Sequence, residues 1–497
     1  MKTLLVQDKS LSSLEMHSFV AKGAFLTGIT QGSRCLLQIL NIIVLPHFIS
    51  PYQYGVFAIA MILINTSEII RDFGLSSAAI QSKDLSFKQI SNLFWCNLAI
   101  GFFLFALTCI ISIPFEHLYA IPGLHLVVSY IGVLFIMNGA ATQYRAYLIR
   151  HFKYTELTVS DVGGQMFGLA IALVFSIIHP SIWSLVVQQI CQSCFNLISL
   201  LFFCRWSPLR FEMSVSIHKI IRSGWKITLT EIFSFISKNF AQFYLSIKYG
   251  PIILAIYNRA FQLVAVPVNQ LCDPAYNIAL PILSRFQTDD KAFNHFLVQS
   301  QIVLGHLIFA SYFFLFIHSY SIIDLLLGHR WVGSSRIVKI LSLANIIHSF
   351  TYPSHWSFIS KNLLKEYLKY SLLSRLVHVV CVLIGSQFSV CGCACGYFFG
   401  MLLQWLGSFI WAAKETNFPY GYIISNYARL ILLYSFCAFF SYLFSIPFHA
   451  SLNRLLAGSI GMIISFLFFY LFSNSLRKDI HQFFIFFKSF RTECTND

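Results

Sequence analysis

Long apolar segments recur along this chain, and they constrain its fold more than any other feature does. Segments of about twenty mainly apolar residues, the length that crosses the hydrocarbon core of a bilayer as a helix, follow one another with only short connectors between them. A helix suits that environment because it satisfies its own backbone hydrogen bonds. The pattern therefore predicts an all-α integral membrane protein with about fourteen transmembrane helices.

The connectors between these segments contain turn residues, such as Ser50-Pro51 and His179-Pro180-Ser181. None is longer than about two dozen residues, which leaves no room for a soluble catalytic domain. The predicted transmembrane segments are 22–48, 54–73, 92–113, 124–148, 160–179, 182–204, 224–246, 252–280, 296–318, 334–360, 366–386, 388–412, 427–447 and 453–473.

Composition agrees with a lipid environment. Hydrophobic residues make up 57% of the 497 residues and charged residues 11%, whereas a soluble domain carries about 25% charged residues. The net charge of +15 comes from cations that lie between apolar segments, so we interpret it as a signal of membrane topology and not of nucleic-acid binding.

Most of the 13 cysteines lie within apolar segments, so we expect no disulfide framework. The run Cys391-Gly-Cys393-Ala-Cys395 has no neighbouring histidine or carboxylate, so we expect no metal site.

The distribution of lysine and arginine predicts the orientation. If the N-terminus is cytoplasmic, 22 of these residues fall in cytoplasmic connectors and tails and five on the opposite side, as the positive-inside rule requires. Residues 1–20 contain Asp8 and Glu15 and no continuous apolar core, which argues against a cleavable signal peptide. We therefore expect a multi-pass membrane protein with both termini in the cytoplasm.

An internal repeat predicts the domain organisation. Gly23 and Thr27 recur as Gly224 and Thr228, and Asp72 recurs as Asp273, at an offset of 201 residues. Each repeat holds an even number of helices, so the two lobes have the same orientation, as in transporters with parallel repeats. The predicted domains are an N-terminal six-helix lobe (1–204), an amphipathic cytoplasmic linker (205–223), a C-terminal six-helix lobe (224–413), and two extra helices with a basic tail (414–497).

Four cations lie deep in predicted transmembrane segments, where an ionisable group is costly unless it faces a cavity or a partner. Carboxylates at similar depth are too few to neutralise all of them, so we expect a cationic cavity that receives an anionic headgroup. Arginine suits a phosphate group because its planar fork donates two parallel hydrogen bonds. The candidate substrate-binding residues are Arg34, Lys238, Arg259 and Arg375.

Three carboxylates are candidates for coupling transport to a proton or sodium gradient: Glu68, Glu231 and Asp72. Each has a structural alternative. Asp72 and the adjacent Arg71 fit the membrane interface equally well, and Glu231 lies two helical turns from Lys238, so the two fit a structural ion pair. No phosphate-binding glycine loop and no nucleophile elbow is present. We therefore predict a protein that is not an enzyme and that has no cofactor.

Several motifs resemble the polysaccharide-transport family, the Wzx-type flippases related to colanic acid exporters, within the superfamily that also holds multidrug exporters and lipid II flippases. The matching motifs run in order from about residue 20 to residue 410, as a family-wide resemblance should. They are Asp72-Phe-Gly-Leu-Ser-Ser-Ala-Ala-Ile-Gln81, Lys83-Asp84-Leu85, Leu93-Phe-Trp-Cys-Asn-Leu-Ala99, Ser237-Lys238-Asn239, Tyr257-Asn-Arg259-Ala-Phe-Gln-Leu263, Pro267-Val268, Leu280-Pro281-Ile-Leu-Ser-Arg285 and Leu325-Leu-Leu-Gly328-x2-Trp331.

The resemblance implies a two-lobed exporter fold and a location in the bacterial inner membrane. It also implies a cargo of undecaprenyl-pyrophosphate-linked oligosaccharide repeat units for O-antigen, capsule or exopolysaccharide. It also implies that the partners are this lipid-linked oligosaccharide, the bilayer, and a polysaccharide polymerase and chain-length regulator. Alternatives stay open: a lipid II flippase, a multidrug exporter, and a membrane polysaccharide polymerase or glycosyltransferase. The cationic interior argues against cation export, and the short connectors argue against a membrane enzyme.

Overall fold

The computed structural model describes residues 32–72, 86–151, 153–204, 206–212 and 218–481, and it describes their side chains except at 66–72, 218–238, 273, 274, 277, 278 and 364. Every regular element in these ranges is a helix, which confirms the all-α prediction. Ten of the described helices are long and apolar enough to cross a membrane, and two shorter apolar helices accompany them. The total of about fourteen spans stays a prediction.

The chain divides into two compact units, Met1–Ile236 and Ser237–Asp497. Unit 1 contains six helices that match predicted segments and the beginning of a seventh. The six are α1 (Gly32–Phe48), α2 (Pro51–Asp72), α3 (Phe87–Tyr119), α4 (Leu124–Arg150), α5 (Tyr154–Ile178) and α6 (Ile182–Cys204).

Local sequence explains where α3 begins. Ser86 and Gln89 form a capping box, in which the Gln89 amide nitrogen donates to the Ser86 hydroxyl at 3.2 Å and the Ser86 amide nitrogen donates to the Gln89 side chain at 3.0 Å. These bonds satisfy two backbone donors that a helix start leaves free.

The segment after α6 lies against the start of α3. Asn92 donates to the Glu212 carbonyl oxygen at 2.8 Å, the Trp95 indole donates to the Leu209 carbonyl oxygen at 2.7 Å, and Lys88 pairs with the Glu212 carboxylate at 2.8 Å. Residues 206–212 belong to the predicted linker 205–223, and they are not helical. From His218 the chain is helical again, so 218–223 belong to the next helix.

Unit 2 contains the remaining helices. They are α7 (His218–Arg285, which starts in unit 1), α8 (Asp290–Leu326), a 3₁₀ turn (His329–Ser334), α9 (Ser335–Ser349), α10 (Tyr352–Ser360), α11 (Leu364–Phe388), α12 (Val390–Glu415), α13 (Tyr420–Ser445) and α14 (Ser451–Phe472). A further helical segment covers 474–481.

Two predicted boundaries take a different form in the structure. Gly250 has φ of 77° and breaks α7 between the predicted segments 224–246 and 252–280, a conformation that glycine adopts without a Cβ clash. The single predicted segment 334–360 is instead two helices, because α9 ends at Ser349 and α10 begins at Tyr352. This break brings polar residues into the interior of unit 2.

Candidate functional site

A cluster of charged side chains joins four helices of unit 1. Asp161 of α5 lies at its centre and is 9% exposed. Arg145 of α4 forms a bidentate pair with it, with Nη1 2.7 Å from Oδ1 and Nη2 2.8 Å from Oδ2. Arg34 of α1 also donates to Oδ2, and the Asn196 side-chain amide of α6 donates to Oδ1 at 3.0 Å. We call these four residues the Asp161 cluster.

The cluster lies inside the helical bundle, not at its edge. Arg145 is five residues from the end of α4, Asp161 seven from the start of α5, and Asn196 eight from the end of α6. At 1.5 Å of rise per residue, these positions are roughly 8–12 Å from helix ends that lie on one side of the bundle. Under the predicted orientation, that side is cytoplasmic.

Close contact between α5 and α6 brings Asn196 within reach of Asp161. At Gly168, an added Cβ would lie 2.8 Å from the Gln188 carbonyl oxygen, too close for a side chain. Ser160 donates to the Asn196 carbonyl oxygen at 3.1 Å, a second bond between the same helices. Small residues at a helix interface allow this approach in membrane proteins.

The charges of the Asp161 cluster do not balance. Two guanidinium groups share one carboxylate, so one positive charge remains among the described residues. The Asp161 side chain is 8% exposed, whereas those of Arg34 and Arg145 are 34% and 39% exposed. The carboxylate is therefore enclosed, while part of each cation stays accessible to an incoming anion.

Sequence analysis predicted that Arg34 binds substrate and that carboxylates at similar depth are too few to neutralise all the cations. The structure shows that Asp161 pairs with Arg34, and the role of Arg34 in binding stays a prediction. Asp161 was missed because it lies near the beginning of the predicted segment 160–179, where a charge is ordinary at an interface. Arg145 was counted only as a topology signal. The start of α5 at Tyr154 places Asp161 about two turns inside the helix.

The other predicted cations lie on α7 and α11. Arg259 is 9% exposed; its Nη1 donates to Gln262 Oε1 at 2.9 Å, and its Cζ lies 5.9 Å from the ring centroid of Trp331, which is fully buried. Arg375 is half-buried and, among the described residues, forms no ion pair. The side chains of Lys238, Glu231, Glu68 and Asp72 lie outside the described residues. Their roles stay predictions.

Unit 2 also contains an apolar cavity of about 550 Å³ between α8, α13 and α14. Its walls are mainly aliphatic and aromatic side chains, and His306 and Asp479 line it as well. Asp479 pairs with Arg429 at 2.7 Å and lies 3.4 Å from His306 Nε2, which ties the segment 474–481 to α8 and α13. Sequence analysis assigned no role to this region.

Comparison with known families decides the class of the protein. The family described as "Polysaccharide biosynthesis protein" matches residues 44–336, more than half of the chain. The chain belongs to this family. The resemblance to polysaccharide-transport proteins is thereby confirmed.

The chain is also similar to several bacterial proteins, two of which are named for the biosynthesis of a polysaccharide. The chain is 19% identical over 354 residues to the lipopolysaccharide biosynthesis protein WzxC of Escherichia coli, covering 71% of this chain and 72% of the relative. It is 20% identical to the succinoglycan biosynthesis transport protein ExoT of Rhizobium meliloti, with 62% of each chain covered. It is also 20% identical to a membrane protein of the cps region of Klebsiella pneumoniae, covering 77% and 79% of the two chains.

Two solved structures share the fold of this chain. The lipid II flippase MurJ in its inward closed conformation matches with a TM-score of 0.68 at 14% identity, covering 90% of this chain and 99% of MurJ. An inward-facing multidrug resistance transporter of the MATE family matches with a TM-score of 0.61 at 11% identity, covering 78% and 97%. The protein therefore has the exporter fold that the sequence predicted.

Proposed function

We propose that this protein moves undecaprenyl-pyrophosphate-linked oligosaccharide repeat units from the cytoplasmic leaflet to the outer leaflet of the inner membrane. The repeat units then serve surface polysaccharide assembly. Family membership supports the polysaccharide pathway, and the exporter fold supports transport. The Asp161 cluster is the observation that supports an anionic headgroup as cargo.

The charge arrangement of the cluster suits a phosphate group. Arg34 and Arg145 present accessible guanidinium groups that share a single carboxylate. A pyrophosphate has more acceptor oxygens and more negative charge than one carboxylate, and arginine binds it through two parallel hydrogen bonds. The headgroup therefore competes with Asp161 for both arginines and offsets part of its own loss of hydration.

Asp161 also provides a way to release the cargo. When the headgroup leaves, the carboxylate again pairs with both arginines and offsets one of their two charges, which limits the cost of unpaired charge within the bundle. Alternating access follows if the exporter exchanges these two sets of contacts between its conformations. In this proposal Lys238, Arg259 and Arg375 also bind the anionic cargo, and Glu68, Glu231 or Asp72 couples transport to a proton or sodium gradient.

The lipid part of the cargo needs an apolar path. A polyprenyl chain gains nothing from a charged site, but an apolar cavity keeps it away from polar groups. The cavity between α8, α13 and α14 has that character and is formed partly by the two helices that lie outside the internal repeat. We assign part of the polyprenyl chain to this cavity during transport.

A flipping assay in proteoliposomes tests the proposal. The probe is the lipid-linked oligosaccharide fraction of the source strain, with lipid II as a comparison cargo. Arg34→Gln and Arg145→Gln should each reduce transport at least about tenfold. Each substitution removes the charged hydrogen bonds of one guanidinium group, which contribute more than about 1.4 kcal/mol to binding of the headgroup. Lys88→Gln, which breaks an exposed ion pair with Glu212 outside the cluster, is the matched control and should transport normally.

Full transport by Arg34→Gln and Arg145→Gln at wild-type protein levels would remove the cluster from the mechanism. Faster transport of lipid II than of the strain's own lipid-linked oligosaccharide would reassign the cargo.

A further inference from the structure

Unit 2 encloses a polar cavity of about 170 Å³ where the chain breaks between α9 and α10. Residues of α9, α10, α11 and α12 line it, and none of them is an aspartate, glutamate, lysine or arginine. The cavity is therefore neutral in a protein whose other candidate site is cationic. Its chemistry matches neither a phosphate group nor a polyprenyl chain.

The hydroxyl groups around this cavity are oriented as acceptors. Thr351 donates its proton to the His348 carbonyl oxygen at 2.7 Å, Ser408 donates to the Trp405 carbonyl oxygen at 2.8 Å, and Tyr370 donates to the Gln404 carbonyl oxygen at 2.7 Å. Each hydroxyl oxygen keeps a lone pair that accepts a further hydrogen bond, although Ser408 already accepts one from Ser354 at 2.9 Å. The wall thus offers several fixed acceptors to a ligand that carries many hydroxyl donors.

Aromatic rings hold the two histidines of the cavity in place. The His355 ring centroid lies 4.9 Å from that of Tyr367 and 5.6 Å from that of Tyr276, and the His348 ring lies 5.5 Å from Tyr352. A neutral imidazole offers one donor and one acceptor, and the Gln404 amide offers both kinds of group. Flat aromatic faces beside fixed donors and acceptors suit a ring with apolar C–H faces and polar hydroxyl edges.

The size of the cavity limits its ligand to one ring. A volume of 170 Å³ equals the liquid volume of roughly five or six water molecules. That space fits one sugar ring. Arg375 lies one helical turn beyond Ser371, which lines the cavity. A cation therefore lies near the cavity without lining it.

We propose that this cavity binds one uncharged sugar ring of the lipid-linked oligosaccharide. The inference rests on the proposed function, since only a glycosylated lipid cargo brings a sugar to the protein. The sugar hydroxyls replace ordered water on the cavity wall, and a ring that cannot reproduce those hydrogen bonds binds more weakly. The cavity thereby contributes to cargo specificity.

Two probes and two substitutions test this site in the full-length protein in nanodiscs. The probes are sugar-free undecaprenyl pyrophosphate and the lipid-linked oligosaccharide fraction of the source strain. His355→Phe keeps an aromatic ring between the two tyrosines, and Gln404→Met keeps the backbone carbonyl that accepts from Tyr370. Each variant should bind the glycosylated lipid about tenfold more weakly and the sugar-free lipid with unchanged affinity.

Gln299→Met on α8 is the matched control, because Gln299 contacts His295 outside the cavity; it should bind both lipids as the wild type does. An equal loss of affinity for both lipids, or no loss for either, overturns the sugar site. Failure of the proposed function gives a different result, since the wild-type protein then binds neither lipid, or Arg34→Gln leaves both affinities unchanged. If His355→Phe lowers the thermal unfolding midpoint markedly, Gln404→Met alone decides.

Discussion

If Asp161 competes with the cargo for the two arginines, Asp161→Asn should destabilise the protein and yet bind an anion more tightly. This substitution keeps the shape of the side chain but raises the charge of the cluster, counted over its described members, from one positive unit to two. The folded state loses charge-assisted hydrogen bonds from two arginines, so its stability should fall by about 2 kcal/mol. If the carboxylate competes with cargo, however, its removal should strengthen anion binding.

The size of that gain follows from Coulomb's law. One unit charge at about 6 Å from a phosphate group contributes about 3 kcal/mol at an effective dielectric constant of about 20. The side chains of Arg34 and Arg145 are 34% and 39% exposed, so solvent screens part of this energy. We expect about 1.4 kcal/mol, which is a tenfold tighter affinity for undecaprenyl pyrophosphate.

The measurement is the binding of undecaprenyl pyrophosphate to purified protein in nanodiscs, with uncharged undecaprenol as the reference ligand. Asp161→Asn should have a lower unfolding midpoint without ligand and should bind the pyrophosphate more tightly. Its flipping should be slower, because no carboxylate is present to pair with the arginines when the cargo leaves. Asp324→Asn is the control. Asp324 lies in unit 2, outside the Asp161 cluster, where it accepts a hydrogen bond from Ser451 and lies beside His329. Unchanged or weaker binding of the pyrophosphate by Asp161→Asn would refute competition between carboxylate and cargo.

Three further outcomes are expected. Gly168→Val should lower stability by about 1–3 kcal/mol and reduce flipping, because its side chain overlaps the Gln188 carbonyl and separates α5 from α6; chemical denaturation and the flipping assay measure both effects. Arg259→Met should lower the thermal unfolding midpoint more than Arg375→Met does, since Arg259 is buried against Trp331 with a hydrogen bond to Gln262, whereas Arg375 is half-buried. Asp479→Asn should accelerate trypsin cleavage at Arg477 or Lys478 about tenfold, because the segment 474–481 loses its ion pair with Arg429; an unchanged cleavage rate would contradict that attachment.

Hydrophobic patterning was sufficient to predict much of the fold. The solvent around a transmembrane helix is apolar on every side, so length and hydropathy alone define the element. That is why the ends of α4, α5 and α6 fall within about six residues of their predicted positions. The break after Ser349 was not predicted, although Ser349, Thr351 and Pro353 interrupt the apolar run there; the backbone at the break is satisfied by bonds within unit 2.

The candidate site depended on information that a single sequence does not contain. Sequence alone determined that Arg34 is an ionisable group within a membrane segment, which is costly and therefore informative. Only the tertiary structure decided what it meets, because Arg34, Arg145 and Asp161 come from three helices whose rotations and spacing depend on packing. Close approach of α5 and α6 at Gly168 turns a carboxylate that looks interfacial in the sequence into the buried centre of a two-arginine site.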